Sequence, residues 1–414
     1  MTFGIAKLNR INVATVAAES YFILYSSEVF YDMAGIAVDS DKNIYMQFTD
    51  SGSAPIIKVS ESGTIGWRKT SNTSVTGSAG VLNTDGSYVY SDRSSTEIPI
   101  IRLSGTDGSQ QSVSNRTFSS ILGVSNVVRD SSGNIYMAIV GATNPYKIAL
   151  VKYSSSGVYS SISTGVTKDG STAMSSASPH LTIDSSNNIY VATRSQNGFY
   201  NYIMKFDTSL SRTAWYQLEF SVSPSISRLR QVAVDSSGNM FGGNGQKIWS
   251  VNSSGTRRWE KSISLGTVNT VTNFNVDVDS LGNVYFFGFQ SNAGYIYKLD
   301  NSTGNLTWAR KLVTSTSLND FAGRIFNDQI YVFGLGYVTG TTNGGFVMKV
   351  PTDGTKTGTY GNFVYSTPTV TLTNVSEMTA SSVTTSSTEE ITVNTATITR
   401  THSNGTTTIT KSTL

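Results

Sequence analysis

The stretch Gln231–Gly242 reads QVAVDSSGNMFG: an alternating apolar run, a five-residue segment Asp-Ser-Ser-Gly-Asn, and a second apolar run. Period-two apolar residues on both sides of a turn segment predict two antiparallel strands joined by a tight turn. Related segments recur as GIAVDSDKNIYM from Gly35, NVVRDSSGNIYM from Asn126, HLTIDSSNNIYV from His180, NVDVDSLGNVYF from Asn275, and, less regularly, GVLNTDGSYVY from Gly80 and GRIFNDQIYVFG from Gly323. Seven copies predict a repeat protein.

The residues that open these turns measure the period of the repeat. They are Asp39, Asn83, Asp130, Asp184, Asp235, Asp279 and Asn327, spaced 44 to 54 residues apart. This spacing is typical of propellers and solenoids. Each period also holds a third apolar segment followed by a turn, such as YIYKLDNSTG from Tyr295, and then a fourth segment. Four strands per period predict a small antiparallel sheet, and sheets in a closed ring leave few exposed edges.

We therefore predict an all-β chain that folds as a seven-bladed β-propeller of four-stranded antiparallel blades, with short β extensions at both termini. Residues 1–30 form the N-terminal β extension, 31–362 the propeller, and 363–414 a Thr/Ser-rich C-terminal β tail. In the tail, His402-Ser403-Asn404-Gly405 carries an Asn-Gly hairpin signal between two alternating segments. With few large apolar residues the tail cannot form its own core, so we expect it to dock on the propeller or on another subunit.

Four of the five tryptophans follow the turn after the third strand. They are Trp67, Trp215, Trp259 and Trp308. A large aromatic at one point of the repeat predicts packing against the neighbouring unit, with the indole N–H finding a partner.

Two of these patterns resemble known propeller repeats. Lys298–Trp308, KLDNSTGNLTW, resembles the tryptophan-docking repeat of PQQ-like propellers, and the VDSSGN turn from Val234 resembles NHL and related bacterial propeller repeats. The resemblance covers most of the chain. It implies the fold of a blade and not an activity, because propeller scaffolds carry many unrelated functions.

Composition excludes several kinds of partner. Charged residues make up 14% of the chain and the net charge is +3, which gives no concentrated basic field for nucleic acid. The chain has no cysteine, and therefore no disulfide and no thiolate metal site. No apolar run approaches the roughly 20 residues of a membrane-spanning helix, so we expect no membrane insertion. Polar residues interrupt INVATVAAESYFIL near the N-terminus, which argues against a cleaved signal peptide.

Oxygen-rich turns raise the question of calcium. Asp39-Ser40-Asp41-Lys42-Asn43 places oxygen donors at alternate positions, but Ile44 stands where an EF-hand loop has glycine. The other copies lack the second carboxylate. We therefore predict that the aspartates accept hydrogen bonds from turn N–H groups, and we expect no metal site and no cofactor.

A basic residue recurs in the third strand of six blades: Lys58, Arg102, Lys152, Lys205, Lys298 and Lys349. A ring of these positive charges around the central channel of the propeller could bind an anion. Because the position lies just before the turn to the outer strand, we favour an aliphatic stem packed between blades with its charged end in water.

The chain has two histidines, His180 at the start of an inner strand and His402 in the tail. His180 could serve as a general base, as the similarity to streptogramin-lyase-like propellers suggests, or simply line the channel. We favour the second role. No GxSxG, HExxH or phosphate-binding loop motif occurs, so we assign no catalytic residue.

Loops between strands two and three, and between blades, share one face of a propeller, and loops on a rigid scaffold usually carry binding. The candidate ligand-binding residues in these loops are Arg93, Tyr146, Arg194, Tyr200 and Tyr337. Aromatic and adaptable polar side chains suit sugar or protein surfaces.

The leading hypothesis is a non-enzymatic structural and interaction propeller, similar to propeller proteins of bacteriophage particles: a tail, baseplate or capsid-attached protein held by its terminal extensions. Its expected location is the virion, where it is part of a larger assembly. Its expected partners are other virion structural proteins, with a host surface glycan as an optional ligand. Two alternatives remain: a carbohydrate-binding adhesin or receptor-binding protein, and a propeller lyase or glycosidase.

Overall fold

The computed structural model describes most of the chain. The described residues are 21–26, 30, 32–49, 54–71, 79–91, 96–118, 121–141, 147–163, 165–167, 179–194, 200–220, 231–243, 247–265, 272–314, 318–339, 342–360, 362–382, 387–389, 393–395, 402–404 and 409–413. Within these ranges every element of regular structure is a β-strand. The described residues therefore contain no helix that is long and apolar enough to cross a membrane.

The strands form seven antiparallel sheets, which are the blades of a propeller. The chain enters through β1 (Phe22–Ser26), a strand of blade seven. Blade one follows with β2 (Asp32–Val38), β3 (Ile44–Thr49), β4 (Ala54–Val59) and β5 (Ile65–Ser71). Blade two has β6 (Val81–Leu82), β7 (Tyr88–Ser91), β8 (Glu97–Leu103) and β9 (Gln110–Phe118). Blade three has β10 (Ile121–Val124), β11 (Val128–Arg129), β12 (Ile135–Gly141), β13 (Lys147–Tyr153), β14 (Tyr159–Ile162) and β15 (Gly165–Thr167).

The remaining blades follow the same order from the channel outward. Blade four has β16 (His180–Ile183), β17 (Ile189–Arg194), β18 (Tyr200–Phe206) and β19 (Arg212–Phe220). Blade five has β20 (Val232–Val234), β21 (Met240–Gly243), β22 (Lys247–Val251) and β23 (Arg257–Ser264). Blade six has β24 (Thr272–Val278), β25 (Val284–Gln290), β26 (Ala293–Leu299) and β27 (Leu306–Thr314). Blade seven has β28 (Leu318–Phe326), β29 (Gln329–Thr339) and β30 (Thr342–Val350).

The predicted fold class, a seven-bladed β-propeller, is confirmed. Seven buried hydrophobic clusters hold the blades together, one at each seam between neighbours. The seam between blades seven and one closes the ring, and β1 from the N-terminal side completes blade seven by pairing with β30. The predicted N-terminal extension therefore supplies the outer strand of the last blade. Its earlier segment INVATV lies outside the described residues.

The recurring turn motif is a local hydrogen-bonding unit. In blade three, Asp130 accepts hydrogen bonds from the backbone N–H of Asn134 at 2.8 Å, from the Asn134 amide at 2.8 Å and from the Tyr136 hydroxyl at 2.8 Å. The third-strand Lys152 lies 5.6 Å above the Tyr136 ring and donates to the carbonyl of Thr208 in blade four at 2.8 Å. Lys58 likewise donates to the carbonyl of Gly105 in blade two, so these lysines join their turns to the next blade. The expectation of a charged end in water is wrong where the end is paired: Lys349 is buried against Glu61, and Arg102 pairs with Asp85 of its own blade.

The tryptophans dock on the following blade, as predicted for three of the four. The indole N–H of Trp259 donates to the carbonyl of Asn301 at 2.8 Å, and Gly304 (φ +68°) brings its backbone so close that a Cβ would lie 2.6 Å from the ring. Trp67 and Trp308 make the same contact with the carbonyls of Gly105 and Thr352. Only glycine fits this approach.

Trp215 does not occupy the matching place, so that prediction is wrong by one residue. Ala214 stands opposite Lys205, the register that Trp67 has opposite Lys58, and Trp215 therefore packs in the cluster shared with blade three. Tyr216 makes the docking contact instead: its hydroxyl donates to the carbonyl of Ser253 at 2.7 Å. A one-residue shift along a strand moves a side chain to the other face.

The C-terminal tail begins with a short hairpin of β31 (Gly358–Tyr360) and β32 (Phe363–Ser366) on blade six. It continues as β33 (Thr371–Asn374), β34 (Met378–Ser382), β35 (Ser387–Glu389), β36 (Val393–Thr395), β37 (His402–Asn404) and β38 (Ile409–Thr413). From β32 to β38 these strands pair in turn with β27, β23, β19, β15, β9, β5 and β1.

The segment Phe363–Thr413, called the belt below, therefore runs round the whole ring against the order of the blades and adds an outer strand to each one. The expected hairpin around Asn404-Gly405 is wrong, because β37 pairs with blade one and β38 with blade seven. Docking on the propeller, one of the two expectations for the tail, is what the described strands do. The belt ends beside the first strand, with Thr413 opposite Phe22.

Side chains clamp the belt where it crosses from blade five to blade four. The buried carboxylate of Glu260 accepts hydrogen bonds from the backbone N–H groups of Glu377 at 2.9 Å and Met378 at 2.8 Å. Arg257 donates to the carbonyl of Met378 at 2.8 Å, and Lys247 pairs with Glu377. The Met378 side chain is buried in the seam between blades four and five. We call these five residues the latch.

Candidate functional site

Three of the five residues predicted to bind ligand lie in the described ranges, each at a hairpin where strands two and three of a blade meet. Arg194 ends β17 and Tyr200 begins β18, so both flank the same hairpin of blade four. Tyr337 lies in β29, opposite Asn343, at the corresponding hairpin of blade seven. Arg93 and Tyr146 lie outside the described residues. The structure thus brings together Arg194 and Tyr200, and the ligand-binding role of all five residues stays a prediction.

Turn carboxylates are engaged within the turn itself. In the turn that most resembles a calcium loop, Asp39 accepts from the backbone N–H of Asn43 at 2.7 Å and from its amide at 2.9 Å. The Lys58 ammonium lies 3.8 Å from the same carboxylate. Within the described ranges, no three His, Cys, Asp or Glu side chains are grouped as a metal site would need.

The channel presents a second set of polar residues, found on the inner strands. Four residues before the turn-opening aspartate, blades three to six carry Asn126, His180, Gln231 and Asn275. At the same register position the other three blades carry Gly35, Ala79 and Ala322. At this register position, one arc of inner strands therefore carries polar residues and the other carries small ones.

Asparagines at the ends of this arc close the seams beside them. The amide of Asn126 donates to the carbonyl of Leu181 at 2.9 Å and accepts from its N–H at 2.8 Å. Asn275 contacts the backbone of Gly323 in the same two-way manner, at 2.8 and 3.3 Å. Each asparagine thus joins its inner strand to that of the next blade, as an extra ladder bond would.

His180 meets Arg324 across the channel. The guanidinium Nη2 of Arg324, in blade seven, lies 3.3 Å from Nε2 of His180, in blade four. Because a guanidinium only donates hydrogen bonds, Nε2 is the acceptor and Nδ1 carries the ring proton. Burial, and then the positive charge of Arg324, lower the pKa of His180 well below its usual value, so the imidazole is neutral near pH 7.

A carboxylate, that of Asp277 on the inner strand β24, lies near Arg324. Its oxygens accept from the N–H groups of Val278 at 2.9 Å and Ile325 at 2.9 Å. Burial raises the pKa of Asp277, and the nearby Arg324 opposes that rise. Asp277 therefore serves the seam between blades six and seven through its backbone contacts.

Sequence reasoning named His180 but missed Gln231, Asp277 and Arg324. The available signal was their fixed offset from the turns: Gln231 and His180 share one position of the repeat, and Asp277 and Arg324 lie two residues further along the inner strands. Offsets alone could not show that blades four and seven face each other, which depends on the ring being closed.

Comparisons with known proteins support the fold. A Kuenenia stuttgartiensis hydrazine synthase structure is similar over 78% of this chain and 97% of that chain, with 11% identity and a TM-score of 0.55. A virginiamycin B lyase from Staphylococcus aureus is similar over 80% of this chain and 98% of that chain, with 13% identity and a TM-score of 0.50.

At these identities the likeness shows the propeller fold alone. No protein-family model and no curated protein matches the sequence.

Proposed function

We propose that this chain is a non-enzymatic structural and interaction propeller, and that it is a component of a bacteriophage virion, in the tail, in the baseplate or attached to the capsid. The observation that carries the proposal is the belt. It covers the outer edge of every blade. A ring whose outer strands are all paired suits a particle component, because open strand edges invite uncontrolled pairing with other chains.

The belt narrows the surfaces through which the propeller could be held in a particle. Each described strand of the belt pairs with a strand of the propeller. The terminal extension that would attach the propeller to a particle is therefore the segment before Phe22. Phe22, the first residue of β1, lies at the outer part of blade seven, opposite Thr413. The loop face with Arg194 and Tyr200 is the other candidate contact with virion structural proteins.

The test is to find the protein in purified particles. Particles banded on a density gradient are analysed by mass spectrometry and by immunogold labelling with an antibody against the propeller. We expect the chain to band with the particle, and a chain lacking residues 1–20 to be folded but depleted from it. A chain that stays at the top of the gradient, and that assembles with none of the purified structural proteins, contradicts the proposal.

Recognition of a host surface glycan by the loop face is the second candidate, favoured by the shared hairpin of Arg194 and Tyr200. Tyr200 stacks beside Tyr202, with ring centroids 6.3 Å apart, and offers an aromatic surface of the kind that sugars contact. A glycan array, followed by cell adsorption with Arg194→Ala and Tyr200→Ala, tests it. Silence on the array together with no adsorption to host cells argues against this candidate.

A further inference from the structure

Two hydrogen-bonding groups in the channel wall are left unused by the fold. Asn126 and Asn275 pair with the next blade, but the residues at the same position between them, His180 and Gln231, do not. His180 Nδ1 and Gln231 Oε1 are both buried and have no hydrogen-bond partner. Buried polar atoms in native proteins nearly always have partners. His180 lies on β16 and Gln231 directly before β20, in adjacent blades. Their two unpaired atoms therefore indicate a site for the polar atoms of a ligand.

Arg324 adds a positive charge to the same part of the channel. Among the described residues its guanidinium makes one side-chain hydrogen bond, to His180, and no ion pair. A guanidinium has five N–H donors, so most remain available. The oxygens of Asp277 are held by the backbone of Val278 and Ile325. In the part of the chain that the structure describes, no carboxylate therefore forms an ion pair with Arg324.

We propose that Arg324, His180 and Gln231 form a binding site for the carboxylate end of a small hydroxy acid, with a sugar acid such as a uronate as the ligand class. Arg324 provides a fork of parallel N–H groups that matches a carboxylate. The Nδ1–H of His180 is a second donor, and Gln231 Oε1 accepts from a ligand hydroxyl. This inference does not depend on a place in a virion.

The three side chains also define what the site rejects. A cation is repelled by Arg324, and a neutral sugar leaves the guanidinium without an anionic partner. A bare inorganic anion satisfies Arg324 and His180 but leaves Gln231 Oε1 without a donor. Because an unpaired buried acceptor costs binding free energy, the site should prefer an acid that also carries a hydroxyl.

The chain has only two histidines, which makes the site directly observable. The full-length protein is labelled with ¹⁵N-histidine and titrated with glucuronate, with glucose and sodium chloride as controls. His402 lies in the belt on blade one and serves as the internal reference, assigned with His402→Gln. We expect a saturable shift of the His180 signal with a Kd of about 1 mM or tighter, and no shift for His402.

Variants separate this site from general charge effects. Arg324→Gln should weaken glucuronate binding at least about tenfold, since it removes the charged fork. Gln231→Leu should weaken glucuronate and leave the affinity for sulfate unchanged. The matched control is Lys356→Gln, which removes one positive charge at an exposed position after β30 and should bind like the native chain.

Three results overturn the proposal: an unmoved His180 signal, the same shift with sodium chloride, or native affinity in Arg324→Gln. If Arg324→Gln is not folded by circular dichroism at the assay temperature, Gln231→Leu decides, and native glucuronate affinity in that variant overturns it. A glucuronate-terminated oligosaccharide identifies the source of the acid. Binding as tight as the monosaccharide supports the site with a glycan end as ligand, and weaker binding supports it with a free acid.

Discussion

The seams between blades and the belt around them both hold the ring together, but by different chemistry. At a seam, named side chains recur: Trp259 is buried against blade six and donates to Asn301. In the belt, strands of three to five residues pair mainly through their backbones. Side-chain packing demands particular residues at particular positions, whereas backbone pairing accepts any residue suited to an extended strand.

The belt itself has a strongly held portion near its start. Phe363 and Tyr365 are buried at blade six, and Met378 is buried beside the latch. The belt should therefore stay attached here when other portions open, since local opening begins where few apolar contacts are buried.

The largest effect should come from removing the belt beyond its first strand. Deletion of residues 367–414 exposes the Met378 pocket and leaves the Glu260 carboxylate without its two backbone donors. We expect a loss of about 5 kcal/mol, since a buried Met contributes about 1.5–3 kcal/mol and each lost hydrogen bond to a charged carboxylate contributes about 1.5–3 kcal/mol. Denaturant unfolding measures the loss, and light scattering should detect self-association through the uncovered edges.

Deletion of residues 383–414 is the matched control, because it keeps the latch. It should be the less destabilising of the two. Equal losses would show that the belt is held evenly along its length and that the latch contributes nothing of its own.

Trp259→Ala tests a seam in the same way. Removing a buried tryptophan should cost about 3–5 kcal/mol, because a cavity is left against Gly304. Trp259→Phe keeps most of the packing and loses the hydrogen bond to Asn301, so about 1–2 kcal/mol is expected. Thermal and denaturant unfolding compare the two. If Ala and Phe destabilise the chain equally, the indole does not dock as described.

Glu260→Gln weakens the latch without shortening the chain. It removes the charge that accepts from Glu377 and Met378, so we expect a loss of about 2 kcal/mol. Hydrogen exchange should speed up first at Val375–Met378. Glu219→Gln, an exposed carboxylate on β19, should change stability by less than about 0.5 kcal/mol. Unchanged hydrogen exchange at Val375–Met378 in Glu260→Gln would show that the Glu260 carboxylate does not hold the belt.

The smallest expected effect is a loss of folding stability at low pH. Hydrogen bonds from Thr303 and Ser302 lower the pKa of Asp300, in the turn that docks on Trp259, from 3.8 to about 2. Because the folded pKa is the lower one, the contribution is fully present above pH 3.8 and is lost as the pH falls to about 2. The melting temperature should fall across that window, and less so in Asp300→Asn. A fall of the same size in that variant would assign the acid effect to other carboxylates.

Much of the ring could be predicted from the sequence because its information is local. The turn-opening Asp130 bonds to Asn134 and Tyr136 within seven residues, so each copy of the motif reports its own hairpin. Trp215 was misplaced because Leu210, and not glycine, takes the left-handed conformation in the preceding turn, at φ 67°. Counted from Leu210, the fourth residue is Ala214, as Trp67 is the fourth residue after Gly63. Of the channel site, His180 was found from its strand, while Arg324 required knowledge of which blades face each other.

The sequence by itself determined the strands and turns of the repeats, the number of blades and three of the docking tryptophans, because each depends on residues that recur at a fixed local offset. Only the tertiary structure decided the path of the belt and the meeting of His180 with Arg324. Thr- and Ser-rich strands fit any open edge, so their partners are set by where the ring presents those edges. Contacts across a channel exist only once seven sheets have closed around it.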